Sequence, residues 1–313
     1  MNQPTSNIVC FGEILWDLLP TGKVAGGAPM NVAFHAKQLG IATQMISKIG
    51  KDDLGKDLID FLSQRNVDTS LIQTDDTYST GRVKVTLNAM GSPSYEIIAP
   101  IAWDFIHSNT ANKTAVKAAD AFVFGSLAAR NETTRNTLLG LLKLAKLKVF
   151  DVNLRSPFYT KSLLMQLLHQ ADIVKMNDEE LKIIGRWWDI DNTEEKTALQ
   201  VKNNFNWQQL IVTRGANGAW LFNNDGMISS QGVSIQVQDT IGSGDSFLAA
   251  FFVLLIFSCG DTTTTNKTSK TKGKERPHSP WIFRSVLDTQ ARMLTLALDD
   301  KMWVSYHTDK ASL

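Results

Sequence analysis

Residues 239–252 read DTIGSGDSFLAAFF. Gly242, Ser243 and Gly244 can bring backbone N–H groups close to a ligand, because glycine removes steric cover and tolerates unusual dihedral angles. An apolar run follows at once and reads as a helix. The free N–H groups and dipole at its start stabilise a phosphate or a developing negative charge. Asp245 falls in the first turn. A carboxylate there can take a proton from a hydroxyl while the backbone amides hold a phosphoryl group. The same residue also reads as a simple N-terminal helix charge, and the segment by itself supports both.

A second cluster lies in GGAPMNVAFHAKQLG. Gly26 and Gly27 precede a helix, and Asn31 falls in its first turn. A turn and an ordinary capped helix would explain them equally well. Asp17, in ILWDLLP, is either an exposed turn aspartate or a carboxylate that receives hydroxyl hydrogen bonds.

The elements around these residues repeat a pattern. IVCFG, TQMISKIG, AFVFGS, KVFDVN, DIVKMN and QLIVTRG read as strands. Between them lie helices that start near Ala28, near Leu54 with Leu58 and Leu62 on one face, from Glu132 to Leu147, from Ser162 to His169, and from Asp178. Repeated strand–helix units predict an α/β fold, a doubly wound and mostly parallel sheet with helices on both faces. GRVKVTLNAMGSPSYEIIA departs from this pattern: two alternating stretches around a Gly/Ser/Pro turn form a hairpin, read as part of a small β lid. In a doubly wound sheet, ligands bind beyond the carboxyl ends of the strands. That rule selects Asp17, Gly26 and Gly27, Asn153 and Arg155, Asn177 and Glu180, Thr213 and Gly215, and residues 239–245.

Composition narrows the classes. The chain has 313 residues, a net charge of +1 and two cysteines. That charge points to neither nucleic acid nor an anionic membrane. Cys10 and Cys259 read as buried free thiols. The polar start MNQPTSN lacks a signal-peptide pattern, and the run from Phe247 is too short to span a bilayer. A soluble, cytoplasmic protein is expected. The histidines show no metal spacing, His35 is placed on a helix face, and Trp187 and Trp188 are read as packing residues.

Taken together, GGAPMNVA, NDEE, VTRGANGA and DTIGSGD, in that order, resemble the PfkB (ribokinase-like) carbohydrate kinases. CFGEILWDLLP and APIAWDFI look most like the fructokinase branch. The resemblance covers roughly residues 8–259. It implies Asp245 as the base that accepts the sugar hydroxyl proton, and Gly242, Ser243 and Gly244 as an anion hole. It implies Asp17, Gly26, Gly27 and Asn31 as sugar contacts, with Arg155 near the sugar or the transferred phosphate and Asn153 beside it. Asn177 and Glu180 match an Asn-x-x-Glu element associated with Mg²⁺ through water and phosphate; Thr213 and Gly215 match a loop near the nucleotide phosphates. The lid would comprise residues near 13–20 and 81–100.

The expected reaction is ATP-dependent phosphorylation of a sugar hydroxyl, with fructose as the leading sugar, Mg²⁺ as the metal and a monovalent cation such as K⁺ as an additional ion. Another sugar, a nucleoside or a 2-keto-3-deoxy sugar acid is the alternative substrate, and a non-catalytic sugar-binding protein the alternative class. No G-x-x-x-x-G-K-[ST] loop is present, and no G-x-G-x-x-G follows the first strand, which disfavours a nicotinamide dehydrogenase. The lid sheet is a candidate homodimer surface.

After residue 260 the chain departs from the family. Residues 261–280 read as a low-complexity, mobile linker and 281–313 as an atypical segment with a short amphipathic helix. Family members carry adenine contacts in this region. Weak ATP affinity and reduced thermal stability are therefore expected.

Overall fold

The computed structural model describes residues 7–19, 22–87, 93–190, 192–231 and 243–259. In chain order its strands are β1 (Asn7–Phe11), β2 (Leu15–Leu19), β3 (Gly22–Gly26), β4 (Ala42–Gly50), β5 (Ile72–Asp75), β6 (Gly81–Leu87), β7 (Pro93–Ile97), β8 (Ala121–Gly125), β9 (Lys148–Asp151), β10 (Ile173–Asn177), β11 (Gln209–Thr213), β12 (Ala219–Asn223) and β13 (Gly226–Ser230). The helices are α1 (Ala28–Gln38), α2 (Asp53–Ser63), α3 (Thr110–Ala118), α4 (Glu132–Leu142), α5 (Lys161–Leu168), α6 (Asp178–Gly185), α7 (Glu194–Phe205) and α8 (Ser243–Cys259).

The apolar runs become the interior strands of one sheet, ordered β13-β12-β11-β10-β9-β8-β1-β4-β5. From β11 to β5 every neighbouring pair is parallel; β12 and β13 add an antiparallel edge. Successive strand residues point to opposite faces, and the two cores follow that period of two. Val9 and Phe11 of β1, Phe122 and Phe124 of β8, Phe150 of β9 and Val174 of β10 enter one core, which also holds buried leucines of α4, α5 and α6. Ile8, Cys10, Ala121, Val123, Val149 and Ile173 enter the other, beneath α1, α2 and α8. Phe124 and Phe150 stack at 5.0 Å across β8 and β9. Fully burying such side chains contributes about 1.5–3 kcal/mol each, so both faces must be covered.

The sequence signals act as expected at several helix ends. Asp52 caps α2 by accepting from Gly55 N at 2.8 Å, and Leu58 and Leu62 are buried on one face with Leu54 beside them. In α8, residues Phe247 to Phe252 are all buried. This helix has no polar face there because it packs against α1 and within the core on that face of the sheet. Among the described residues no helix is long and apolar enough to cross a membrane. Cys10 is a free, fully buried thiol, and burial pushes its pKa up. His35 is buried beside Gln38, and the Trp187 and Trp188 rings pack against the core.

A second sheet, β3-β2-β6-β7, stands apart from the first. The expected hairpin is its antiparallel β6–β7 pair, and β2 joins β6 in parallel. Three local expectations change. Asp17 lies within β2, half-buried, not in a turn. Helix α4 ends at Leu142 instead of Leu147, because the chain must turn there to feed β9, and Leu144 and Ala145 pack on the core from that turn. The β12–β13 hairpin, closed by the Asn223–Gly226 pair, was not anticipated, although NNDG carries its turn signal. Gly242, most of the DTIGSGD segment, the Cys259 side chain and everything after residue 259 lie outside the described residues, as do the linker, the atypical C-terminal segment and the expectations attached to them.

Candidate functional site

Two helices begin side by side at the carboxyl edge of the sheet. The first is α1. Gly27 occupies its N-cap with φ at +118°, and a Cβ there would sit 2.3 Å from the Glu13 carbonyl oxygen. Only glycine permits that approach. A Cβ on Gly26 would similarly meet Asp17 Oδ2 at 2.7 Å. The two glycines therefore seat the start of α1 against the β1–β2 connection and bring the Asp17 carboxylate over its entrance. Gly27→Ala is expected to cost at least the ~1–3 kcal/mol of a strained backbone conformation. Chemical denaturation would show it as a lower midpoint; an unchanged midpoint would mean that the α1 entrance shifts freely.

The second is α8. Asp245, only 8% exposed, lies in its first turn. Asn31 of α1 donates from Nδ2 to Asp245 Oδ2 at 2.9 Å, so the helices meet through this bond as well as through apolar packing. Burial pushes the Asp245 pKa up to about 6, and the Asp151 charge adds to the rise. Lys175, the Asn31 amide and Arg155 act in the opposite sense.

Beneath this turn lies a buried ion pair. Asp151 ends β9, and Lys175 sits opposite it in the β9–β10 register. Lys175 Nζ donates to both Asp151 carboxylate oxygens, at 2.8 and 2.9 Å. A Cβ on Gly244 would lie 2.7 Å from the same Nζ. Burial opposes the lysine charge, but Asp151, Asp245 and Glu180 outweigh it, and the net shift of its pKa is upward.

Glu13, 2% exposed, closes the other side. Burial raises its pKa to about 7, and the backbone amides of Glu13 and of Ala28, at the start of α1, lower it. Arg155 also lowers it and Asp245 raises it.

The remaining sequence-predicted residues line the same edge. Arg155 is exposed, on the segment after β9, and acts electrostatically on both Glu13 and Asp245. Asn153, with φ at +39°, precedes it and accepts from Ser126 Oγ at 3.4 Å through its carbonyl. Asn177 and Glu180 form a reciprocal capping box at the start of α6. The two Glu180 oxygens accept from Asn177 N at 2.9 Å and Leu154 N at 2.8 Å, which ties α6 to the Arg155 segment. Glu180 is buried, which raises its pKa, and the nearby Lys175 opposes that rise. Thr213 ends β11 next to Asn177, and Gly215 follows it with φ at +53°. The geometry thus joins Asp245, Asn31, Gly26, Gly27, Asp17 and Arg155 around two helix starts. Thr213 and Gly215 stand two strands beyond β9.

Sequence reasoning missed Lys175, Asp151 and Glu13. The signal was present in the strands: a charged residue inside VFDV and another inside IVKMN have no place in an apolar core without partners. Among the described residues no group of three or more His, Cys, Asp or Glu side chains is placed to hold a metal ion directly.

Known proteins resemble this chain in sequence and fold. The Arabidopsis thaliana protein named probable fructokinase-7 is 30% identical over 264 residues, covering 77% of this chain and 76% of its own. The sugar kinase PH1459 of Pyrococcus horikoshii, solved in complex with ATP, superposes with a TM-score of 0.66 at 30% identity, over 80% of this chain and 84% of the other. A fructokinase variant from Vibrio cholerae, solved with fructose, ADP and a potassium ion, shares the fold with a TM-score of 0.74 at 21% identity, over 95% and 93% of the two chains. The family profile described as pfkB family carbohydrate kinase matches residues 6–256, nearly the whole described fold, and the chain belongs to that family of sugar kinases.

Proposed function

We propose that this sugar kinase transfers the γ-phosphoryl group of ATP to a hydroxyl of fructose, with Asp245 as the base. The observation that carries the reading is the Asp245 carboxylate in the first turn of α8, oriented by Asn31, with a pKa that burial and the nearby Asp151 charge raise to about 6. A base in that range is ionised at neutral pH yet remains a competent proton acceptor.

The sugar would enter between the sheet edge and the small β2/β3/β6/β7 sheet, which serves as its lid. Asp17 and Asn31 hold hydroxyls, and Gly26 and Gly27 let the sugar approach the backbone. Asp245 takes the hydroxyl proton as the oxygen attacks the γ-phosphorus, and the bond from that phosphorus to the bridging oxygen of ADP breaks. The free N–H groups at the start of α8, from Ser243 onward, stabilise the charge on the phosphoryl oxygens. Arg155 adds positive charge from the solvent side. Thr213 and Gly215 border the nucleotide phosphates. Lid closure excludes water, which would otherwise compete as the acceptor.

Each Glu180 oxygen keeps one lone pair beyond its backbone bond. Together with Asn177, it suits a hydrated Mg²⁺ held through water, not a directly ligated ion. When bound, Mg²⁺ neutralises charge on the ATP phosphates. The potassium ion and ADP bound to the Vibrio cholerae fructokinase support a monovalent cation as a further ligand, and the fructokinase names of the relatives support fructose as the sugar.

The test is ADP release from ATP and Mg²⁺ with a panel of fructose, other hexoses, ribose, nucleosides and 2-keto-3-deoxy sugar acids. Turnover with fructose well above the others supports the proposal, and turnover with a different sugar replaces fructose as the substrate. Binding of fructose without ADP release would refute the catalytic reading. Asp17→Ala is expected to raise the sugar KM while leaving the ATP KM nearly unchanged, because its carboxylate lies over the α1 entrance. Equal increases in both would remove Asp17 from the sugar contacts.

A further inference from the structure

Lys175 occupies a strand position that should be apolar. It points to the α1/α8 face of the sheet, where its neighbours Ile173, Val149, Val123 and Ile211 are all core residues. Its side chain is 8% exposed and that of Asp151 is 4% exposed. An apolar pair of similar volume is often as stable as a buried ion pair, or more so. Packing by itself therefore does not explain the two charges.

Their placement does. The ammonium is pinned by both oxygens of Asp151 and lies directly against Gly244, one residue before Asp245. We propose that the Lys175–Asp151 pair positions the first turn of α8 and sets the charge of Asp245, with Lys175 holding the carboxylate ionised and Asp151 limiting that hold. This rests on Asp245 acting as the base.

The groups facing Asp245 are Asp151 from β9, Lys175 from β10, Arg155 from the segment after β9, Glu13 from the β1–β2 connection and the neutral Asn31 from α1. Glu180, from α6, acts on Lys175. Of the two cations in this set, Arg155 is exposed and screened, so Lys175 is the one whose charge acts through a low-dielectric path. Removing it leaves Asp245, Asp151 and Glu180 without a buried counter-charge.

The two halves of the pair should then act with opposite sign, which a merely structural role would not produce. The acid limb of the kcat–pH profile reports ionisation of the base in the bound complex. K175M should move that limb upward by about 1–3 pH units, the range for loss of an adjacent opposite charge. D151N should move it downward, because a like charge is removed. K175R, which keeps the charge, should restore the limb towards the wild-type position. Circular dichroism would establish that each variant is folded; if K175M does not fold, D151N carries the test through its downward shift. Limbs that stay in place or shift in the same direction would overturn the proposal. D245N separates the two levels: wild-type turnover in D245N would refute the base assignment itself, whereas an inactive D245N with unmoved limbs in the other variants would refute only the role of the pair.

Discussion

Asp245→Asn is expected to lower kcat by about 10²–10⁴-fold, the usual cost of losing a general base, while sugar affinity is retained. Asparagine keeps the shape of the side chain and can still bond to Asn31 across the α1–α8 contact, so the loss should be confined to the chemical step. The wild-type profile supplies a second check. The carboxyl group is held up to about 6 by burial and by Asp151, and only its ionised form accepts a proton. Turnover should therefore fall as pH drops through about 6 and level off above it. Steady-state kinetics across that range, with and without the substitution, would decide the matter. Near-normal kcat in the asparagine variant would show that another group takes the proton.

Arg130→Met is expected to destabilise the fold by about 3–5 kcal/mol, the range for breaking a buried ion pair from one side. Arg130 donates from Nε and Nη2 to the two oxygens of Asp104 at 2.7 and 2.8 Å, and from Nη2 to the Ile98 carbonyl at 3.0 Å. Its side chain is 7% exposed and that of Asp104 is 2% exposed. It also lies over the Trp103 ring at 4.0 Å. The pair joins the segment that leaves the small sheet after β7 to the turn after β8, so its loss should loosen the attachment of the small sheet. Urea denaturation would show a lower midpoint, with sugar affinity falling along with stability. Arg130→Lys should recover only part of the loss, since an ammonium cannot reproduce the planar two-bond fork. A midpoint within about 1 kcal/mol of wild type, on the order expected for a surface pair, would show that the contact carries little.

The sequence by itself determined the layered fold and marked several residues that lie together at the candidate site. Apolar runs of strand length, separated by helices with visible caps, leave few architectures other than a covered parallel sheet, because both faces of such a sheet must be buried. Residues at helix starts were legible because glycines before an apolar run mark where a helix begins: Gly26 and Gly27 precede α1, and Asn31 and Asp245 lie in the first turns of α1 and α8. The tertiary structure decided what those positions share. That Asn31 and Asp245, 214 residues apart in sequence, are hydrogen-bonded depends on how α1 packs against α8, which no local pattern encodes. Asp17 belongs to a strand that pairs with neighbouring β3 on one side and, on the other, with β6 from much later in the chain. Lys175, Asp151 and Glu13 were hidden because a charge within a strand reveals its purpose only when its neighbours on adjacent strands are known. The register that sets Lys175 opposite Asp151, under Gly244, is fixed by pairing of β9 with β10 and by the seating of α8 on the sheet.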